Sequence, residues 1–175
     1  MSILKVARMG HPVLRTRARA LDVGEVRSAM FQTLIDDMIA TMIEYEGIGL
    51  AGPQVHEGVR LFVAGMESGH EKMRVVPFIN PVITPVGEET VDGWEGCLSI
   101  PDIRGKVPRF KHVVVKALDR RGQPFELDLS DFPARVVQHE TDHLDGTLFF
   151  DRIKDFRSLT YLEEYGRYHA EREEE

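Results

Sequence analysis

The strongest constraint on this chain is a change of hydrophobic period partway along it. Over residues 25–46, Phe31, Leu34, Met38, Met42 and Tyr45 recur every three or four positions, the spacing of one buried helical face. Gly47 and Gly49 follow as a stop. Between residues 59 and 129 the pattern shortens to β-rich runs at 59–66, 75–84, Val113-Val114-Val115 and 125–129. The turn signal Asp119-Arg120-Arg121-Gly122 separates the last two and predicts an antiparallel hairpin. Helical patterning returns at Asp131, which can cap, with Pro133 in the first turn and Gly146 as the stop. A C-terminal helix is expected over 155–170, running into the acidic tail Glu171-Arg172-Glu173-Glu174-Glu175. Residues 1–24 show no period and read as an irregular arm. Helix, strands, helix in that order predicts an α+β fold: antiparallel or mixed sheets around a central helix, flanked by an N-terminal and a C-terminal helix.

At 175 residues and 42% hydrophobic content the chain fits one domain spanning 1–175. A net charge of −7 argues against DNA or anionic membrane as a general partner. Charges in Met1-Ser2-Ile3-Leu4-Lys5-Val6-Ala7-Arg8 stand where a secretory leader needs an apolar run, and no segment is long enough to span a bilayer. A cytoplasmic protein is expected. The single cysteine, Cys97, excludes an intramolecular disulfide and fits a reducing compartment. By default such a cysteine is an inert core residue.

The segment Gln138-His139-Glu140-Thr141-Asp142-His143 carries the chemistry. Histidines four apart on a helix share a face and can present ring nitrogens to one ion, while Glu140, about 100° further round, can reach a water there. With 7 histidines in the chain, such a motif arises by chance on the order of 0.03 times. The bland alternative is a solvated surface helix, but Val136, Val137 and Leu144 bury one side of it. A catalytic site needs a third protein ligand. Glu163 and Glu164, some twenty residues downstream, have the spacing of small zinc peptidases of the thermolysin type; beside an acidic tail they also read as plain exposed charge. Cys97, in Trp94-Glu95-Gly96-Cys97-Leu98-Ser99, would be a soft thiolate ligand suited to iron(II) or zinc. A non-catalytic metal-binding module is a third alternative.

Gly47, Gly49 and Gly52 satisfy the dinucleotide fingerprint, but a helix precedes them and Pro53 follows where N–H donors are needed, which excludes a dinucleotide site. A structural turn remains, or a loop that lets a substrate backbone approach, with Gln54 as donor.

Taken together, Gly47-Ile48-Gly49-Leu50-Ala51-Gly52-Pro53-Gln54-Val55, Glu95-Gly96-Cys97-Leu98-Ser99 and Gln138-His139-Glu140-Thr141-Asp142-His143-Leu144 resemble the peptide deformylases. The likeness runs from Met9-Gly10-His11-Pro12-Val13-Leu14 to Phe149-Phe150-Asp151-Arg152-Ile153. It implies that Cys97, His139 and His143 hold one divalent metal, iron(II) above zinc, nickel or cobalt. It implies hydrolysis of the formyl group from N-formylmethionyl nascent peptides, releasing formate, with Glu140 as general base and then acid. The Gln54 amide and the Leu98 backbone N–H would hold the oxyanion. Ile48, Gly49, Glu95, Gly96, Arg104 and Val136 would contact substrate, Val136 and His139 walling a methionine pocket. Glu95 and Arg109 are expected to pair and orient the Cys97 segment, ordinary surface charge being the alternative. Gly52 departs from the alanine or threonine of many family members and is expected to loosen its loop. The family's ribosome docking through a basic C-terminal helix conflicts with the acidic tail. The basic run Arg104, Lys106, Arg109, Lys111, Lys116, Arg120 and Arg121 reads as a solvated hairpin, with transient ribosomal RNA contact as the alternative. A monomer is expected.

Overall fold

A computed structural model describes residues 1–68 and 71–170. The predicted first helix is two: α1, Val23–Arg27, and α2, Ala29–Glu44. Ser28 divides them because its extended backbone places its hydroxyl to accept from the Phe31 N–H at 3.3 Å, capping the second helix. The left-handed residue after α2 is Glu46 (φ 53°) rather than a glycine, and the Gly47 N–H closes the turn onto the Met42 carbonyl.

Eight strands follow among the described residues: β1 Gly49–Ala51, β2 Leu61–Ser68, β3 Glu71–Pro85, β4 Thr90–Cys97, β5 Ile100–Phe110, β6 His112–Leu118, β7 Pro124–Ser130 and β8 Thr160–Tyr161. Strands β1-β2-β3-β6-β7 form one antiparallel sheet and β4-β5-β8 a second. The predicted hairpin is β6–β7. Periodicity overlooked β1, β4 and β5, which carry glycines and charges in place of alternating apolar residues.

The helix α3, Asp131–Leu144, lies on one face of the five-stranded sheet and α2 on the other. Alternation along β2 makes this explicit: Phe62 and Ala64 pack with Ala134 and Val137 of α3, while Leu61 and Val63 pack with Ile35 and Met38 of α2. All four β2 residues are buried, which is why the strand reads as a continuous apolar run. A third cluster joins Cys97, Ile100 and Val107 of the small sheet to Leu14, Leu148 and Phe149. Ser130, not Asp131, occupies the cap position of α3, and Asp131 is left-handed (φ 56°); Gly146 (φ 73°) ends the helix as expected.

The C-terminal helix expected over 155–170 is replaced by a 3-10 turn at Phe156–Ser158, then β8, then the short α4, Leu162–Tyr168. The acidic tail, 171–175, lies outside the described residues. Among the described residues no helix is long and apolar enough to cross a membrane.

Candidate metal centre and active site

The β4–β5 hairpin turns immediately after Cys97 and lays that residue against α3. Cys97 Sγ lies 3.3 Å from His143 Nε2, and the ligand atoms of Cys97, His139 and His143 all fall within 4.8 Å of one another. His139 bonds Glu95 through Nδ1 at 2.9 Å, which leaves its other ring nitrogen for the cluster. A buried thiol should resist ionisation, yet the imidazoles of His143 and His139 hold Cys97 well below its usual range. Burial opposes a charge on His139 as well, but Cys97 and Glu95 raise its pKa well above the ordinary value. One sulfur and two nitrogens facing each other around so small a space, with negative charge favoured on the sulfur, match the donor set of a divalent metal.

Glu140 is buried beside them. Burial pushes its carboxyl up to about 7, against the pull of His139 and His143, and its Oε2 has no partner among the described residues. Gly49 makes this position available: a Cβ there would sit 2.3 Å from Glu140 Oε1. Gly49 thus accommodates the carboxylate as well as opening the cleft.

Gln54 is buried and held by both ends of its amide. Oε1 accepts from the Ala51 N–H at 2.9 Å, so Nε2 must be the end that faces Ser99 Oγ (3.2 Å) and Cys97 Sγ (3.5 Å). Gly52 does not loosen this loop. It is buried, a Cβ would meet the Glu57 and Val59 carbonyls at 2.8 and 2.9 Å, and its own carbonyl accepts from the Glu57 N–H.

Glu95 faces inward and pairs with Arg109 as expected, but it also holds two residues of α3. It pairs two-pronged with Arg109 (2.9 and 3.0 Å), accepts from Arg135 at 2.9 Å and bonds His139. Burial alone would raise its pKa, but His139 and Arg109 hold it far below the usual carboxylate range. Arg109 continues to Asp142 (2.5 Å), and Asp142 to Arg152 (2.7 and 3.1 Å). Arg135 also donates to the Val91, Gly93 and Val107 carbonyls, stitching α3 across both strands of the hairpin. Sequence reasoning missed Arg135, Asp142, Arg152 and Ser99. The available signal was charge on the buried face of α3, since Arg135 and Asp142 lie four before and three after His139.

A cleft of about 770 Å³ opens over this centre, and Ile48, Gly49, Gln54, Glu95, Gly96, Leu98, Arg104, Val136, His139 and Glu140 all line it. The structure therefore gathers every sequence-selected site residue except Glu163 and Glu164. Those two pair with Arg167 on α4, Glu163 exposed and Glu164 half-buried, outside the cluster that holds both histidines. The basic run is not one cationic face. Arg109 is buried, Arg104 lines the cleft, Lys106 sits 5.3 Å over the Trp94 ring, and Lys111, Lys116 and Arg120 pair with Glu89, Glu126 and Asp36.

Residues 3–158 match the family model described as polypeptide deformylase. The chain is 44% identical over 166 residues to peptide deformylase 2 of Pseudomonas putida, covering 92% of this chain and 93% of that one. The crystal structure of a class I type b peptide deformylase from Acinetobacter baumannii with Met-Ala-Ser bound superposes with a TM-score of 0.82 at 40% identity, over 87% of this chain and all of that one. Peptide deformylase from Thermotoga maritima gives 0.80 at 39%, over 89% of this chain and all of the other.

Proposed function

The chain belongs to the polypeptide deformylase family, and from that premise we propose that Cys97, His139 and His143 hold a divalent metal beside Glu140 as general base and acid. The family's activity is hydrolytic removal of the formyl group from the N-terminus of nascent peptides, and the chain is an enzyme of that class. The observation that carries the residue assignment is the S, N, N cluster within 4.8 Å next to a buried carboxyl with an unpartnered oxygen.

When bound, the ion supplies Lewis-acid chemistry, acidifying water and polarising a carbonyl oxygen. Glu140 accepts a proton from the attacking water as the oxygen bonds to the formyl carbon. With its pKa near 7 it is poised to hold that proton and return it. It delivers the proton to the amide nitrogen as the C–N bond breaks, and formate and a free methionine amine leave. The Gln54 Nε2–H₂, held facing the cluster by Ala51, donates to the oxyanion that develops, together with the Leu98 backbone N–H. The methionine side chain lies along Val136 on the α3 face.

Iron(II) is the metal we propose, because a thiolate with two imidazoles suits it; zinc, nickel and cobalt satisfy the same ligands. Lys116 pairs with Glu126 and Arg120 with Asp36, which lends no support to RNA contact; the substrate reading is the formylated peptide, in the cytoplasm where such chains are made.

Anaerobic purification, metal analysis and formyl-Met-Ala-Ser hydrolysis test this directly. Cys97→Ala is expected to lose metal and activity together. Glu140→Gln is expected to keep the metal and lose kcat by about 10²–10⁴-fold. Retained metal and turnover in Cys97→Ala would refute the ligand assignment, and undiminished turnover in Glu140→Gln the proton-transfer role.

A further inference from the structure

Residues 159–170 lie outside the stretch matched by the family model, yet Leu162 among them lines the cleft. Contacts that begin at Ser158 place them. Ser158 Oγ accepts from the Lys106 N–H at 3.1 Å. Leu159 occupies the space over Gly105, where a Cβ would come within 3.1 Å of its Cδ2. Strand β8 pairs Tyr161 with Ile103 and Thr160 with Arg104, covering the edge of β5. Helix α4 then sets Tyr165, and His169 just past its end, against Trp94, each with ring centroids 5.1 Å from it.

These anchors leave Leu162 in the cleft wall, with Trp94 and Phe132. Leu162 is 41% and Phe132 57% exposed, so apolar surface faces water inside a cleft that receives peptide. Phe132, Val136 and Glu140 fall at i, i+4 and i+8 on one face of α3, which puts Phe132 roughly 12 Å along the axis from Glu140. A peptide with its formyl carbon at Glu140 covers that distance with the residues after the methionine, since successive Cα atoms are about 3.8 Å apart.

We propose that the C-terminal segment 159–168 is a specificity element of the active-site cleft. Through Leu162, which lines the cleft together with Phe132 and Trp94, it forms an apolar outer wall that selects formylated peptides with bulky apolar side chains after the methionine. The inference rests on the deformylase reading above.

The test compares formyl-Met-Leu-Phe with formyl-Met-Ala-Ser on the metal-loaded full-length chain, on Leu162→Asp and on Leu162→Ala. The full-length chain should favour formyl-Met-Leu-Phe on the order of ten-fold in kcat/KM, the difference lying in KM. Both variants should bring the ratio towards one, with the loss falling on the apolar peptide, whereas Lys116→Ala on the far sheet keeps it. Binding gives a readout apart from turnover. Trp94 is the only tryptophan, and its emission should report tighter binding of Met-Leu-Phe than of Met-Ala-Ser, lost in Leu162→Ala. Equal hydrolysis of the two peptides by the full-length chain, or a ratio unmoved by either substitution, overturns the specificity element alone. Hydrolysis of neither peptide sinks it together with the deformylase reading.

Discussion

On one side of the cleft, β1 and the turn at Gly52–Val55 are carried by apolar packing, with Leu50 and Ala51 fully buried between α2 and α3. On the other side, the β4–β5 hairpin is fastened to α3 by a chain of buried charges running from Asp142 through Arg109 and Glu95 to His139, with Arg135 as a branch and the exposed Arg152 at its outer end. Apolar burial depends on area and fixes position without fixing direction. Hydrogen-bonded ion pairs are directional, and the bond from Glu95 to His139 Nδ1 determines which nitrogen faces Cys97. The wall that only has to stay in place is apolar, and the wall that has to orient ligands is ionic.

The largest effect should follow removal of the hub of the ionic wall. Glu95→Ala leaves Arg109 and Arg135 buried without their shared carboxylate, and should cost about 3–5 kcal/mol in denaturant unfolding. Metal affinity should fall roughly 10–100-fold, measured by competition with a chelator, as His139 loses its orientation. An unchanged affinity would show that the ring is held by packing instead. Next comes the apolar wall. Met38→Ala, in a fully buried position on α2, should lose about 2–5 kcal/mol of stability. Its metal affinity should match the wild type; if it drops as far as in Glu95→Ala, the division between the two walls disappears. The smallest effect belongs to an ion pair in water. Lys116 and Glu126 pair at 3.2 Å on the exposed side of β6–β7, and Lys116→Ala should shift stability by less than about 1 kcal/mol. A larger loss there would mean that charge pairing in general, rather than burial, accounts for the ionic wall.

Legibility in the sequence followed the range of the interactions concerned. The face of α2, the β6–β7 hairpin, the Gly146 stop and the face shared by His139 and His143 all depend on neighbours within a few residues, and each was readable from spacing. The break at Ser28 was not, because a capping serine competes with helix continuation only once the chain beyond it is anchored. A helix is expected over 155–170, but pairing with β5 draws Thr160 and Tyr161 into a strand. Glu95 and Arg109 were paired correctly, while Asp142 and Arg135, hidden inside the metal motif's own helix, went unremarked.

By itself the sequence determined the α+β order, the two histidines and carboxylate on one helical face, and, through the likeness of three separated segments, the family. These are consequences of covalent geometry and local spacing, which hold wherever the segment sits. Only the tertiary structure decided that Cys97 meets His143 across 46 residues, that Gln54 turns its amide nitrogen toward Cys97, and that Leu162 stands in the cleft. Those contacts depend on strand register and on charges buried between elements, which no local pattern specifies. The same sheet register that completes the metal cluster also excludes Glu163 and Glu164 from it, since β8 ends on the outer edge of β5 and leaves α4 on the surface.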